Sequence, residues 1–249
     1  MFLKVAVRSL LSRKGSAVMT LMAISVAIFV LLGIEQIRQQ ARDSFASTVS
    51  GVDLIVGAKT GSLNLLLYSV FRIGSPTDNI SWQAYREIAG SNDIAWAIPI
   101  SLGDSHEGYR VVGTTHAFFD HFSFGKKRHL AFSEGEAFEG TFDAVLGSEV
   151  ASALGYSVGT EIILAHGLAS TSFTQHDNQP FVVVGVLAPT GTPVDQTIHV
   201  RLEGIEAMHA GGSTAPIGAF APASAPATDF SEPESITAFM LGLKSRMST

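Results

Sequence analysis

The sequence predicts an α+β protein in which one N-terminal transmembrane helix is followed by a mixed α+β extracytoplasmic domain. Three observations predict it. Residues 15–34, GSAVMTLMAISVAIFVLLGI, form a twenty-residue run without a charged side chain. The charges flanking that run are asymmetric. Beyond residue 90 the apolar periodicity shortens toward two, with helix signals interposed between the strand candidates.

As a helix, the apolar run spans roughly 30 Å, the hydrocarbon thickness of a bilayer, and satisfies its own backbone hydrogen bonds, which lipid cannot do. Ten of its residues are Leu, Ile, Val or Phe, and together they favour insertion by about 3 to 6 kcal/mol. Ile24→Lys is therefore expected to cost about 3 kcal/mol and to lower the membrane-inserted fraction in a fractionation assay. The span is placed at 15–36. Lys4, Arg8, Arg13 and Lys14 precede it with no acidic residue, whereas Glu35, Arg38, Arg42 and Asp43 follow it. Excess Lys and Arg stay on the cytoplasmic side, so the N-terminus is expected inside and residues 37–249 outside. A cleaved signal peptide would have a shorter apolar region and a small-residue cleavage site, and neither is seen here. A buried helix of a soluble protein is rarely apolar on every face for this length.

Composition narrows the partners. The formal charge is −6 and the first fourteen residues carry four basic and no acidic side chains, which leaves −10 on the remainder. An acidic exterior argues against nucleic acid. There is no cysteine, which excludes thiolate metal sites and Cys nucleophiles. Residues 1–14, MFLKVAVRSLLSRK, place Leu3, Val7, Leu10 and Leu11 on one helical face. They form a short amphipathic helix suited to the inner headgroup layer. Its basic residues serve either as a topology signal alone or as a surface on which a cytoplasmic partner pushes.

After the span, helical spacing continues over 35–49 as a stalk. Residues 52–56 read as a strand, 57–61 as a turn and 63–71 as a short buried helix. Ser81 is the expected N-cap of WQAYREIA, with Gly90 as a left-handed stop. Strand candidates are 94–100, 109–114, 144–146, 161–165, 181–187, 197–202 and 236–244. Within LGSEVASALGYSVG, Ser148 is the expected N-cap, Glu149 suits the helix start and Gly155 closes the end. Residues 202–210 read as one more helix, and the Gly-, Ala- and Pro-rich residues 211–234 as an extended loop.

Catalytic signatures are absent. Gly125-Lys126-Lys127 lacks the glycine and hydroxyl of a phosphate-binding loop, and no G-x-S-x-G elbow occurs. No cofactor is expected, and the chain is not expected to be an enzyme. His166 and His176, with Asp177, flank a polar stretch; an ion site there competes with the plainer reading of a solvated loop. An anchored hydrolase or metal binder is the least favoured functional class. Thr190-Gly191-Thr192-Pro193-Val194-Asp195 is the most distinctive loop. Pro193 restricts Thr192 to extended geometry, Gly191 permits an unusual turn, and Asp195 is placed to bond nearby backbone amides.

Several blocks resemble a known family. VAVRSLLSRKGSAVMTLMAISVAI resembles the entry into the first helix of permeases of the MacB and FtsX type. DLIVGAKTGSLNLLLYSVFRIG, YRVVGTTHAFFDHF, AVLGSEVASALGYSVGTEIILAHG and FVVVGVLAPTGTPVDQTIHVRLEGIEAMH resemble successive blocks of the family's periplasmic core domain. The resemblance implies the permease subunit of an ABC transporter in a bacterial inner membrane. It also implies a separate cytoplasmic ATPase subunit, a permease homodimer and contact with a periplasmic adaptor. By the same likeness, roughly 114–187 would form a smaller lobe set into the core, giving the exterior domain two lobes. Members of the family continue into three more membrane helices, whereas this sequence stops at Thr249. A fragment or a truncated product is therefore expected. The alternative function is a non-transporting membrane-anchored regulator that relays a cytoplasmic signal to a periplasmic partner.

Overall fold

The computed structural model describes residues 13–74, 76–166, 180–212 and 232–245. The chain divides into two compact units, 1–46 and 47–249. The first consists, in its described part, of most of helix α1, Lys14–Thr48, 35 residues without a break. Its stretch Lys14–Gln39 is long and apolar enough to cross a membrane, with none of its most apolar window buried. Phe29 is 78 % exposed, and large apolar side chains stand exposed all around the rod. That surface suits lipid rather than water. Thr20 returns its hydroxyl to the Ser16 carbonyl at 2.9 Å, as a hydroxyl in an apolar helix must. The helix continues beyond the span, as its spacing predicts.

The second unit is built on a ten-stranded sheet. Strands β1 (Leu54–Gly57), β2 (Ile80–Ser81), β3 (Ile94–His106) and β4 (Tyr109–Thr114) alternate early on with helices α2 (Ser62–Ser69) and α3 (Trp82–Ala89). Helix α4 (Ala117–His121) follows, then the short strands β5 (Ser123–Phe124), β6 (Arg128–His129) and β7 (Phe132–Gly135). Next come β8 (Asp143–Leu146), helix α5 (Ser148–Leu154), β9 (Glu161–Ile162), β10 (Ala165–His166) and β11 (Phe181–Leu187). A 3-10 turn at Pro193–Gln196 leads into β12 (Thr197–Arg201), helix α6 (Leu202–Gly212), β13 (Ser235–Ile236) and β14 (Ala238–Leu243). The main sheet runs β1-β14-β3-β4-β12-β8-β11-β7, with β10 beside β3 and β9 beside β11. Of the strands contributed by 114–187, β7, β8, β9 and β11 gather at one end of this sheet, β10 lies beside β3, and β5 and β6 form a separate two-stranded sheet. The gathered strands join the flanking core through the antiparallel β12–β8 ladder.

Side-chain alternation divides the core into layers. Val112 and Val145 face the layer holding Phe118, Phe119, Phe122 and Tyr68, which places α2 and α4 on that side. Val111, Ala144, Leu146, Ile198 and Val200 face Val150 of α5 and Ile205 and Met208 of α6. Phe239 and Leu241 of β14 pack with Trp82 and Tyr85 of α3. The hairpin between β3 and β4 turns on Glu107 and Gly108, with φ of 49° and 83°. Two consecutive positive φ angles match the twist of the flanking strands.

The boundaries differ from the sequence reading in physically instructive ways. Strand β3 runs six residues further than expected, because its second half pairs with β4 and β10. The expected strand 161–165 splits where the chain leaves β11 and crosses to β3. Ser81 caps α3 as expected, accepting from the Ala84 N–H. Gly90 is not left-handed (φ −77°, ψ −1°). The helix closes instead by tightening, with the Ser91 N–H reaching Ile88 O at 3.1 Å. Ser148 is the first residue of α5 rather than its cap, and Gly147 holds the cap position in extended geometry. Gly155 closes that helix at φ 69°, in the left-handed region. The loop expected over 211–234 lies for the most part outside the described residues.

Gly147 is needed where it stands. A Cβ there would lie 2.3 Å from Val194 O and 2.4 Å from Asp195 O, and both carbonyls belong to an ordered turn. Gly147→Ala is expected to cost about 3 kcal/mol by overpacking, seen as a lowered thermal midpoint.

Candidate functional site

Of the basic residues before the span, Lys4 and Arg8 lie outside the described residues. Arg13 and Lys14 stand exposed at the start of α1, and the Arg13 carbonyl accepts from Ala17 N–H. Of the metal candidates, His176 and Asp177 lie outside the described residues. His166 lies on β10 opposite Asp104 in register. Among the described residues no group of three or more His, Asp or Glu side chains is arranged to hold a metal ion.

The Thr190–Asp195 loop connects β11 to β12 and is organised by one carboxylate. Asp195, 3 % exposed, accepts from Thr190 N at 2.9 Å and 3.1 Å and from Gly191 N at 2.7 Å. The Thr190 hydroxyl donates to it as well, at 2.9 Å. Gly191 takes φ 72°, and Thr192 is extended (φ −124°, ψ 170°) before Pro193 opens the 3-10 turn. Gln196 then reaches Glu149 at 2.7 Å, tying the turn to the start of α5. Asp195 directs its oxygens into its own loop.

A cleft of about 280 Å³ lies at the carboxyl ends of β4 and β12, lined by Thr115, His116, Phe138, Glu139, Arg201 and Glu203. Arg201 donates to Glu203 through Nε at 3.2 Å and also to the Glu139 carbonyl. His116 faces Asp120 at 3.1 Å. Arg201 is thus paired with Glu203 and His116 with Asp120, and the cleft presents polar groups for recognition.

Two features escape the motif reading. His106 bridges the end of β3 to the neighbouring segment: Nδ1–H donates to Ile163 O at 2.7 Å, so Nε2 accepts from the Tyr156 hydroxyl at 3.0 Å. The second is a buried basic group. His199 on β12 is fully buried, stacks on Phe118 with centroids 4.7 Å apart, and neither ring nitrogen has a well-formed hydrogen bond. Burial, reinforced by the nearby Arg72 cation, pushes its pKa down to about 3, offset only in part by the Val145 backbone. Arg72 itself is 9 % exposed and carries a left-handed backbone, φ 60°. Its guanidinium donates to the Ser69 carbonyl. Arg110 reaches from β4 to the carbonyl of Gly74.

Residues 17–225 match the family of the MacB-like periplasmic core domain. The chain belongs to this family. No curated protein matches the chain. Among solved structures, the extracellular domain of the noncanonic ABC-type transporter YknZ from Gram-positive bacteria is similar at 11 % identity and a TM-score of 0.42. That similarity covers 68 % of this chain and 75 % of that one. The periplasmic region of MacB from Actinobacillus actinomycetemcomitans is similar at 9 % identity and a TM-score of 0.46, covering 80 % and 79 %. The matched span of the MacB-like domain begins inside α1 and includes the Asp195 loop, the cleft and the Arg72–Arg110–His199 group. A long apolar helix joined to a mixed α+β domain is the architecture the sequence predicts, and membership places it in an ABC-permease and FtsX-like superfamily.

Proposed function

We propose that this chain is the N-terminal part of a permease subunit in an ABC-type export or mechanotransmission complex. ATP hydrolysis in a separate cytoplasmic subunit drives movement of the MacB-like domain outside the bacterial inner membrane. The observation that carries the reading is the family match over 17–225, which starts within the helix and not after it. In this reading Lys4, Arg8, Arg13 and Lys14 face the cytoplasm and form the surface on which the ATPase subunit bears. Motion passes up α1, unbroken from Lys14 to Thr48, into the domain beyond. The permease works as a homodimer and meets a periplasmic adaptor, and 114–187 moves as a lobe about the β12–β8 ladder. The Asp195 loop holds the connection from β11 past β8 to β12 fixed while this happens.

Isolation of the full-length protein from its native membranes in mild detergent tests the reading. A stoichiometric ATP-binding subunit is expected by mass spectrometry, and its recovery is expected to fall when Arg13 and Lys14 are both changed to Glu. Recovery of the intact protein without any ATP-binding subunit would contradict the proposal.

A further inference from the structure

The turn after α2 brings two guanidinium groups together without a carboxylate between them. Arg72 donates to the carbonyl of Ser69 and Arg110 to the carbonyl of Gly74, so both side chains are pinned to the same short turn, and the Arg110 charge acts on Arg72. Each guanidinium has five N–H donors, and these are the only side-chain hydrogen bonds either makes among the described residues. No acidic group there forms an ion pair with either one. Arg72 is nearly buried, yet none of its nitrogens is among the sealed, partnerless atoms. Its unused donors therefore keep a trace of solvent contact. The residue holds a left-handed φ of 60°, which a side chain of this size adopts only when the surroundings impose it.

We propose that Arg72 and Arg110 form a binding site for a phosphate-class oxyanion, free or carried on a lipid head group. A nearly buried cation beside a second cation is unfavourable unless a counter-charge arrives. Burial and the Arg110 charge lower the Arg72 guanidinium only to about 10, so it stays charged at neutral pH. Two planar forks match the four tetrahedrally spread oxygens of a phosphate, free or esterified, whereas the two oxygens of a single carboxylate lie in one plane and saturate one fork. Ile73, between Arg72 and Gly74, is 58 % exposed, which gives an apolar contact beside the charge for the glyceryl or acyl part of a lipid.

The test uses the full-length protein in a neutral maltoside detergent. Inorganic phosphate is titrated against sodium chloride at matched ionic strength, and the thermal midpoint is followed. In a second arm, phosphatidylglycerol is compared with diacylglycerol, which lacks the whole phosphoglycerol head group. A saturable rise with phosphate supports the site with the free ion as ligand. A rise with phosphatidylglycerol alone supports it with the lipid as source. Arg110→Gln is expected to weaken the response tenfold or more, and Arg110→Lys, which keeps the charge but loses the fork, by about tenfold. No preference for phosphate over chloride together with no preference for phosphatidylglycerol over diacylglycerol overturns the proposal without recourse to any variant. So does an undiminished response in folded Arg110→Gln.

Discussion

Asp195→Ala is expected to destabilise the globular domain by about 4 kcal/mol. The carboxylate accepts from two backbone amides and one hydroxyl at 2.7–3.1 Å, and it does so almost fully buried. Hydrogen bonds to a charged group contribute about 1.5–3 kcal/mol each, and buried donors left without a partner cost about 1–3 kcal/mol each. Alanine removes the acceptor and strands the Thr190 and Gly191 amides in a turn that has no other group to offer them. For a domain of roughly two hundred residues this corresponds to a fall of about 8–16 °C in the thermal midpoint, followed by circular dichroism. Asp195→Asn keeps one carbonyl oxygen and should lose about half as much. A midpoint within about 2 °C of the wild type for the alanine variant would show that the turn is held by its packing on Gly147 instead.

The second large effect is a pH dependence centred on His199. Its folded pKa, about 3, lies below the ordinary value of 6.5. The unfolded chain therefore takes up the proton first as pH falls, and stability declines between about pH 6.5 and pH 3. The full loss is about 5 kcal/mol, from about 1.4 kcal/mol per pH unit. Other groups act in the opposite sense. His209 donates a hydrogen bond to the Asp104 carboxylate, which holds its pKa above the usual value. Its contribution is present below pH 6.5 and lost as pH rises through its raised pKa. Glu206, raised chiefly by burial, likewise favours the folded state on acidification. The net curve mixes these, so the informative quantity is the difference from His199→Leu. That variant removes the buried imidazole while keeping an apolar partner for Phe118. It should match the wild type near pH 7 to within about 1 kcal/mol and exceed it by about 2–3 kcal/mol at pH 4.5. A difference that does not change with pH would mean that His199 is not held neutral by its surroundings.

Legibility in the sequence followed the range of the interactions. WQAYREIA occupies α3 from its first to its last residue, and β4 and β11 begin and end where the periodicity places them. These elements are set by local signals: a cap, a β-branched run, a bounding glycine. The short strands β5, β6 and β7 carry no such pattern: β7 forms against β11, while β5 and β6 pair with one another and Ser50 bridges Ser123. The ends of β3 and of residues 161–166 were likewise decided by which strand lay alongside. The Asp195 loop was legible because every partner of the carboxylate lies within five residues. The Arg72–Arg110 pair was not, since one residue sits in a coil and the other on a strand 38 positions later. His199 was hidden by an assumption. In TIHVR an alternating polar residue reads as facing water, but β12 is covered on both faces, so Thr197 and His199 are as buried as Ile198 and Val200.

The most direct test of the account is the sidedness of the chain in the membrane. The protein has no cysteine, so single substitutions report without background. In intact spheroplasts a membrane-impermeant maleimide is expected to label Glu87→Cys, on an exposed face of α3, and to spare Ser9→Cys until the membrane is opened. Labelling of both positions from the same side, or loss of the Ser9→Cys segment from the mature protein, would contradict an anchored helix that carries motion from the cytoplasm to the domain outside.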